Sequence, residues 1–72
     1  MAKRSITIAG HRTSISLEEP FWTALAEIAK EDRRALAALV GEIDRARPEG
    51  TNLSSALRVY VLQWSRRARP PA

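Results

Sequence analysis

The sequence has 72 residues, a net charge of +4, no cysteine and a single histidine. A chain this short forms one domain, and a domain of about 60 residues buries only about 60% of the surface that its unfolded chain exposes. The cysteine count excludes disulfides, and with one histidine it also excludes a zinc site built from Cys and His. Oligomerisation is the remaining support for so small a core, so we expect an obligate homodimer.

No segment has the composition of a membrane span or of a signal peptide. The longest apolar uncharged stretch, 59–64, is far shorter than the roughly 20 residues that cross a bilayer. The residues after Met1 alternate polar and apolar and lack the apolar centre of a signal peptide. We therefore expect a cytoplasmic protein with no membrane partner.

Residues 3–17 have the period-two alternation of two short strands. Gly10 and His11 between them have the form of a two-residue type II′ hairpin loop, in which Gly takes the first position. That loop pairs Thr7 with Ser14 and Ile6 with Ile15. It also predicts one polar face, made by Lys3, Ser5, Thr7, Arg12, Ser14 and Ser16, and a mostly apolar opposite face.

The next part of the chain has helical periodicity. A first helix begins near residues 18–20, where Pro20 is tolerated in the first turn; Ser16 with Glu19 is an alternative start as a capping box. A second helix is predicted over 32–46, and residues 47–50 break it at Pro48. The two apolar stripes are Phe21, Leu25, Ile28 and Ala29 in the first helix and Leu36, Leu39, Val40 and Ile43 in the second.

A third helix follows, capped by Asn52 or Thr51. Its apolar stripe runs from Leu53 to Trp64, and Val59 with Leu62 widens it beyond one face, so the helix needs two partners. In so short a chain we expect the second partner to be another subunit. The predicted domain is 1–65, with 66–72 as a disordered basic, proline-containing tail. The predicted dimer interface is Ile15, Leu17, Leu57, Val61 and Trp64.

The residues offer little for catalysis. The one histidine has no G-x-S-x-G serine near it, and the glycines at 10, 41 and 50 stand alone, so no phosphate-binding loop is present. Neighbouring acidic pairs such as Glu18 and Glu19 point about 100° apart on a helix and do not converge. We expect no enzyme activity, no cofactor, no metal and no small-molecule substrate.

The polar strand face is the more informative feature. Arg12, Ser14 and Ser16 project from alternate positions of one strand, and a two-stranded ribbon with such side chains can read base edges in the major groove. The same alternation is also typical of any solvent-exposed sheet face. The strand alone leaves both interpretations open.

The order strand, helix, helix, with a period-two strand running into the first helix, resembles the ribbon-helix-helix DNA-binding proteins. The residues that carry the resemblance are Gly10–Ser14, Leu17–Glu18, Phe21–Trp22, Ile43–Asp44 and Ser55–Arg58. The resemblance implies a mainly α fold with a short β segment (α+β), in which two subunits pair strands into one ribbon. This chain departs from that minimal fold by an additional third helix and by the N-terminal hairpin that its alternation predicts.

Carried over residue by residue, the resemblance makes Arg12, Ser14 and Ser16 the base-reading positions. Weaker contacts to the DNA backbone are expected from Lys3, Arg4, His11, Arg33 and Arg34. If residues 3–9 pair with 12–17, a dimer has four strands, whereas the major groove, about 12 Å wide, accommodates two. Either the first segment is a detachable basic arm, or the sheet docks in another way.

Two hypotheses from different classes follow. The first is a homodimeric, sequence-specific DNA-binding protein that regulates transcription through an antiparallel β-ribbon, with double-stranded DNA and its own second copy as partners. The alternative is a dimeric protein-interaction module, an antitoxin-like or non-DNA-binding relative of the same fold.

Overall fold

The computed structural model describes residues 1–68 as a β-hairpin followed by three helices. The α+β class predicted from the sequence, with a hairpin and an extra third helix, is confirmed. Within the described part of the chain, no helix is long and apolar enough to cross a membrane. The elements are β1 (Ala2–Ile8), β2 (His11–Leu17), α1 (Glu19–Glu31), α2 (Leu36–Ala46) and α3 (Leu53–Ala68).

The hairpin turns one residue earlier than predicted. Its two loop residues are Ala9 and Gly10, with φ of 50° and 82°. Positive φ at both positions defines a type I′ loop, whose twist matches that of the strands, so the type II′ prediction was wrong. Ser14 therefore pairs with Ser5, not with Thr7. Because this partner is displaced by two residues, every side chain keeps its predicted face.

The two faces of the hairpin differ as the alternation predicted. Ile8, Ile15 and Leu17 are buried against the helices, whereas Ser5, Thr7 and Ser14 are exposed on the other face. The helices add their own stripes, so one apolar core lies between the hairpin and all three helices. That core consists of Ile8, Ile15, Leu17, Trp22, Leu25, Ile28, Ala29, Leu39, Val40, Ile43, Leu57 and Val61.

Helix α1 has Glu18 as its N-cap without a side-chain capping bond, so the alternative Ser16–Glu19 capping box does not form. The helix ends in a Schellman motif. The Arg33 N–H donates to the Lys30 carbonyl at 3.1 Å, and the Arg34 N–H donates to the Ala29 carbonyl at 3.0 Å. Arg33 takes the left-handed position of this motif, with φ of 55°.

The Schellman motif explains why α2 begins at Leu36 and not at residue 32 as predicted. Arg33 in the left-handed region and Ala35 in extended conformation (φ −68°, ψ 147°) both interrupt helical geometry. Glu31 and Asp32 therefore belong to the end of α1, and the first turn of α2 contains no acidic residue. The sequence offered no Gly at this point, which is the usual signal for such a stop.

Replacing Arg33 by Gly should stabilise the fold, because Gly adopts positive φ without the steric cost that a Cβ carries. We expect a gain of about 0.5–1 kcal/mol in the free energy of unfolding. The measurement is a urea titration followed by circular dichroism. Arg33→Ala is the matched control, since it removes the same charge and keeps the Cβ. Equal stability of the two variants would show that residue 33 does not hold the left-handed conformation in solution.

Of the two caps predicted for helix α3, the structure selects Asn52, whose Oδ1 accepts a hydrogen bond from the Ser55 N–H at 2.8 Å. The helix continues to Ala68. It therefore extends beyond residue 65, where the sequence predicted the domain to end and a disordered tail to begin. The rest of the predicted tail, 69–72, lies outside the described residues.

Candidate nucleic-acid interface

The exposed face of the hairpin is built from both of its strands. Three cross-strand pairs lie on it, Lys3 with Ser16, Ser5 with Ser14, and Thr7 with Arg12. Same-face residues along each strand lie about 7 Å apart, so these six side chains form a ladder of two columns. We call this ladder the polar hairpin face. It contains the predicted base-reading residues Arg12, Ser14 and Ser16, of which Ser16 is half-buried and the other two are exposed.

The hairpin segment is basic throughout. Residues 1–17 contain Lys3, Arg4 and Arg12 and no Asp or Glu, and all eight acidic residues of the chain come later. Among the described residues, the ion pairs include neither Lys3 nor Arg12. Both cations on the polar hairpin face are therefore available to an anionic partner.

Two of the residues predicted to contact a DNA backbone lie off this face. Arg4 is on the side of the helices, where its guanidinium stacks 5.3 Å from the centre of the Trp22 ring and lies 3.2 Å from Glu19 Oε1. It thus joins β1 to α1. His11 is exposed at the tip of the hairpin, opposite Ile8.

Arg33 and Arg34, the predicted phosphate contacts, have different surroundings. Arg34 Nη1 lies 2.6 Å from Glu42 and its Nη2 lies 3.3 Å from Asp32. The hydrogen bond to Glu42 raises the pKa of the Arg34 guanidinium, so this residue stays charged and engaged within the fold. Arg33 is exposed and does not occur in the ion pairs of residues 1–68.

Two side chains of α3 bind residues 16 and 18, at the end of β2 and just after it, and these contacts were not predicted from the sequence. Arg58 donates from Nε to Glu18 Oε1 at 2.8 Å and from Nη2 to Glu18 Oε2 at 3.1 Å. Ser54 Oγ donates to the Ser16 carbonyl at 2.9 Å. These partners are 38 and 40 residues apart in the chain, so no local pattern could have paired them.

The bond to Arg58 holds the pKa of the Glu18 carboxyl below its usual value. A lowered pKa means that the ion pair adds stability above the pKa of an unfolded glutamate and loses it as the pH falls through the folded value. Glu18→Gln should therefore lower the melting temperature at neutral pH, and the difference from wild type should shrink in acid. Thermal melts across this range test the expectation. Glu27→Gln on α1 is the control, and the same loss at every pH would assign the effect to packing.

The residues predicted for a dimer interface are mostly covered by the chain itself. Leu17 and Leu57 are fully buried, Ile15 and Val61 are nearly so, and Trp64 is partly buried against the core. The apolar residues that α3 leaves in solvent are Val59 and Leu62, which are 51% and 56% exposed. These two are the residues that widen the apolar stripe in the sequence. With Phe21 of α1 they line a shallow depression of about 350 Å³.

Comparison with known proteins identifies the family of this chain. A family model described as a ribbon-helix-helix domain matches residues 1–65. The chain belongs to the ribbon-helix-helix family. No curated protein and no solved structure matches it significantly.

Within residues 1–68, no group of three or more His, Cys, Asp or Glu is placed to hold a metal ion. On the polar hairpin face, this ribbon-helix-helix domain presents basic and hydroxyl side chains.

Proposed function

We propose that this protein is a sequence-specific DNA-binding protein, a transcriptional regulator that acts as a homodimer through an antiparallel β-ribbon in the major groove. The observation that carries the proposal is the polar hairpin face, which is exposed, basic and without acidic residues. A two-stranded ribbon has the width that the major groove admits. Such a role places the protein in the same compartment as DNA, in keeping with the cytoplasmic location expected from the sequence.

The side chains of this face have the chemistry of base readout. Arg12 can donate two hydrogen bonds to a guanine, and the hydroxyls of Ser14 and Ser16 can donate to or accept from several bases. Lys3 and His11, at the two ends of the hairpin, are suited to phosphates. Phosphate contacts fix the position of the protein, whereas contacts to base edges determine the sequence.

The start of α2 supplies a second anion site in this proposal. Helix N-termini bind phosphate through free backbone N–H groups and the helix dipole. Ala35 caps α2 without a side-chain hydrogen bond, and the first turn carries no carboxylate. Arg33 lies just before this turn and is exposed, so we assign the phosphate contact to Arg33 and to the first amides of α2. Arg34 is not part of this contact, because its guanidinium is paired with Glu42.

The dimer contact in this proposal is the apolar surface made by exposed Val59 and Leu62 with partly buried Phe21 beside them. A small domain is stabilised by covering such a surface, and apart from Met1 the other large apolar side chains are buried or partly buried within the chain. The five residues predicted for the interface then pack in the core beneath this surface and do not form the contact themselves. They are Ile15, Leu17, Leu57, Val61 and Trp64.

Selection of binding sites from a pool of random duplex DNA tests the function. We expect an enriched site with two related halves, and affinity that falls as salt rises because bound phosphates release counterions. The control is the same titration on a scrambled duplex. A folded protein that binds neither duplex at about 50 mM salt would contradict the proposal.

A specific observation favours the second candidate, a protein-interaction module. A groove of about 720 Å³ lies between α2 and α3, with apolar walls that include Ile43, Ala56 and Val59 and with Arg67 among its lining residues. Together with exposed Leu62 it offers a surface for another protein. If the folded protein fails to bind DNA, this candidate takes precedence, and a search for partners by cross-linking in cell extract would follow.

A further inference from the structure

The strand β1 is packed against the helices at both of its ends. The Trp22 indole N–H donates to the Ala2 carbonyl at 3.0 Å, and the Arg4 guanidinium lies over the same ring. At the other end, Ile8 is buried in the core, and a Cβ built on Gly41 would lie 3.4 Å from Ile8 Cγ2. Detaching β1 would break these contacts and uncover the core. The structure therefore does not support a detachable basic arm, which was one of the two alternatives that the sequence left open.

The outer edge of β2 is open to a second strand before it reaches α3. In the sheet of the described residues, β2 pairs with β1 on one side. On the other side, Ser54 occupies the Ser16 carbonyl, and before that point an open depression of about 420 Å³ lies beside residues 13–15. Arg58 lines this depression and also the shallow apolar depression of the proposed dimer contact. One partner can therefore cover both, and we take that partner to be the second copy that the proposed ribbon needs.

Two hairpins joined at these edges make a sheet of four strands, in which the two β2 strands flank the twofold axis and a β1 lies outside each of them. Strands lie about 4.8 Å apart, so each β2 is about 2.4 Å from the axis and each β1 is about 7 Å from it. The major groove is about 12 Å wide, so its walls lie about 6 Å from the axis of a ribbon that runs along it. The two β2 strands fit within the groove, whereas each β1 lies over a wall.

The side chains that β1 presents on the polar hairpin face suit such a wall. Lys3, Ser5 and Thr7 are exposed there, and Lys3 does not occur in the ion pairs of residues 1–68. The walls of the major groove are phosphate backbones, to which ammonium and hydroxyl groups commonly donate hydrogen bonds. The side chains that bind a base edge with two hydrogen bonds are Arg, Asn and Gln. On this face Arg12 of β2 is of that kind, and β1 has none.

We propose that Lys3, Ser5 and Thr7 of each β1 contact the phosphate backbones on the two sides of the major groove, while the two β2 strands read the bases between them. This inference rests on the proposed DNA binding. It adds a role for Ser5 and Thr7, and it assigns β1 to affinity and β2 to sequence. Phosphate contacts act equally on every duplex, so their effects are separable from those of base readout.

The first experiment measures how salt affects the binding of Lys3→Ala to the selected and the scrambled duplex. The slope of log affinity against log salt should decrease in magnitude by about 2 on both, because a dimer loses two phosphate contacts that contribute about 0.9 each. Arg45→Ala, which removes an exposed charge from α2, is the matched control and should keep the wild-type slope. An unchanged slope for Lys3→Ala, or a loss confined to the selected duplex, would overturn the inference.

The second experiment removes both hydroxyls of β1 in the double variant Ser5→Ala, Thr7→Ala. Affinity should fall about three- to tenfold on both duplexes, because hydrogen bonds to phosphates are lost, and the ratio between the duplexes should stay constant. Thr23→Ala on α1, which also removes an exposed hydroxyl, is the matched control and should behave as wild type. If the double variant behaves like this control, β1 does not touch DNA. If its loss is confined to the selected duplex, β1 reads bases, and either result overturns the inference.

Amide hydrogen exchange on the wild-type complex shows whether β1 stays in the sheet when DNA is bound. Arg4 and Ile6 face Ile15 and Thr13, and a two-residue loop makes these the hydrogen-bonded pairs of the hairpin. The amides of Arg4 and Ile6 should remain protected with random duplex DNA bound at low salt. Loss of their protection on binding would show that β1 detaches, which would overturn the inference. A folded wild type that binds neither duplex contradicts the proposed function itself, and that outcome is distinct from all of those above.

Discussion

Arg12→Ala should weaken binding to the selected DNA site by at least about tenfold, because a bidentate contact to a base is worth about 1–3 kcal/mol and a dimer loses two of them. Affinity for scrambled DNA should fall much less, since nonspecific binding depends on phosphates. The measurement is a fluorescence titration on both duplexes at two salt concentrations. Arg45→Ala is the matched control, an exposed arginine on α2 that lies outside the polar hairpin face.

A different pattern is expected from the arginines near the end of the chain. Replacing Arg66 and Arg67 of α3, together with Arg69, should lower affinity equally on both duplexes and reduce the dependence on salt if these residues touch phosphates.

Equal losses on both duplexes for Arg12→Ala would reduce the polar hairpin face to a general electrostatic surface. Losses for Arg45→Ala as large as those for Arg12→Ala would lead to the same conclusion.

Leu57→Asp should unfold the protein. Leu57 is fully buried between the hairpin and the helices, and an unpaired carboxylate there has no compensating partner. Shortening a buried leucine to alanine already costs about 2–5 kcal/mol, and small domains have only about 5–15 kcal/mol in total. Loss of the helical circular dichroism signal at room temperature is the expected result.

Leu62→Asp, five residues further along the same helix, is the comparison. Leu62 is 56% exposed, so this variant should remain folded, and sedimentation should show dissociation into single chains if its surface is the dimer contact. A folded Leu57→Asp variant would contradict the core described here. A Leu62→Asp variant that sediments as a dimer would place the contact elsewhere, and a folded wild type that sediments as one chain would contradict the dimer.

The sequence predicted the faces of the hairpin better than its turn. Alternation assigns Ile8 and Ile15 to the core side and Ser5 and Ser14 to the solvent side in any register that shifts by two residues. The choice between loops at 9–10 and 10–11 depends on which one matches the twist of the strands, and Ala9 gives no local sign that it adopts positive φ.

The boundary between α1 and α2 shows the same limit. Apolar spacing places Leu39 and Ile43 on a helix correctly, but the helix begins at Leu36 because Arg33 takes a left-handed conformation that Gly usually occupies. Helix periodicity is a local property of the chain. A stop made by an arginine depends on how the two helices pack.

By itself the sequence determined the α+β class, the ribbon-helix-helix resemblance, the polar hairpin face and a cap for α3 at Asn52 or Thr51, because each follows from residues that are neighbours in the chain. Only the tertiary structure decided which apolar residues stay in solvent, that Arg4 and Arg34 are engaged within the fold, and that α3 contacts the end of β2. Those outcomes depend on contacts such as Ser16 with Ser54 and Glu18 with Arg58. Such pairs have no signature until the chain folds, because sequence periodicity shows which face of an element is apolar and not which element covers it.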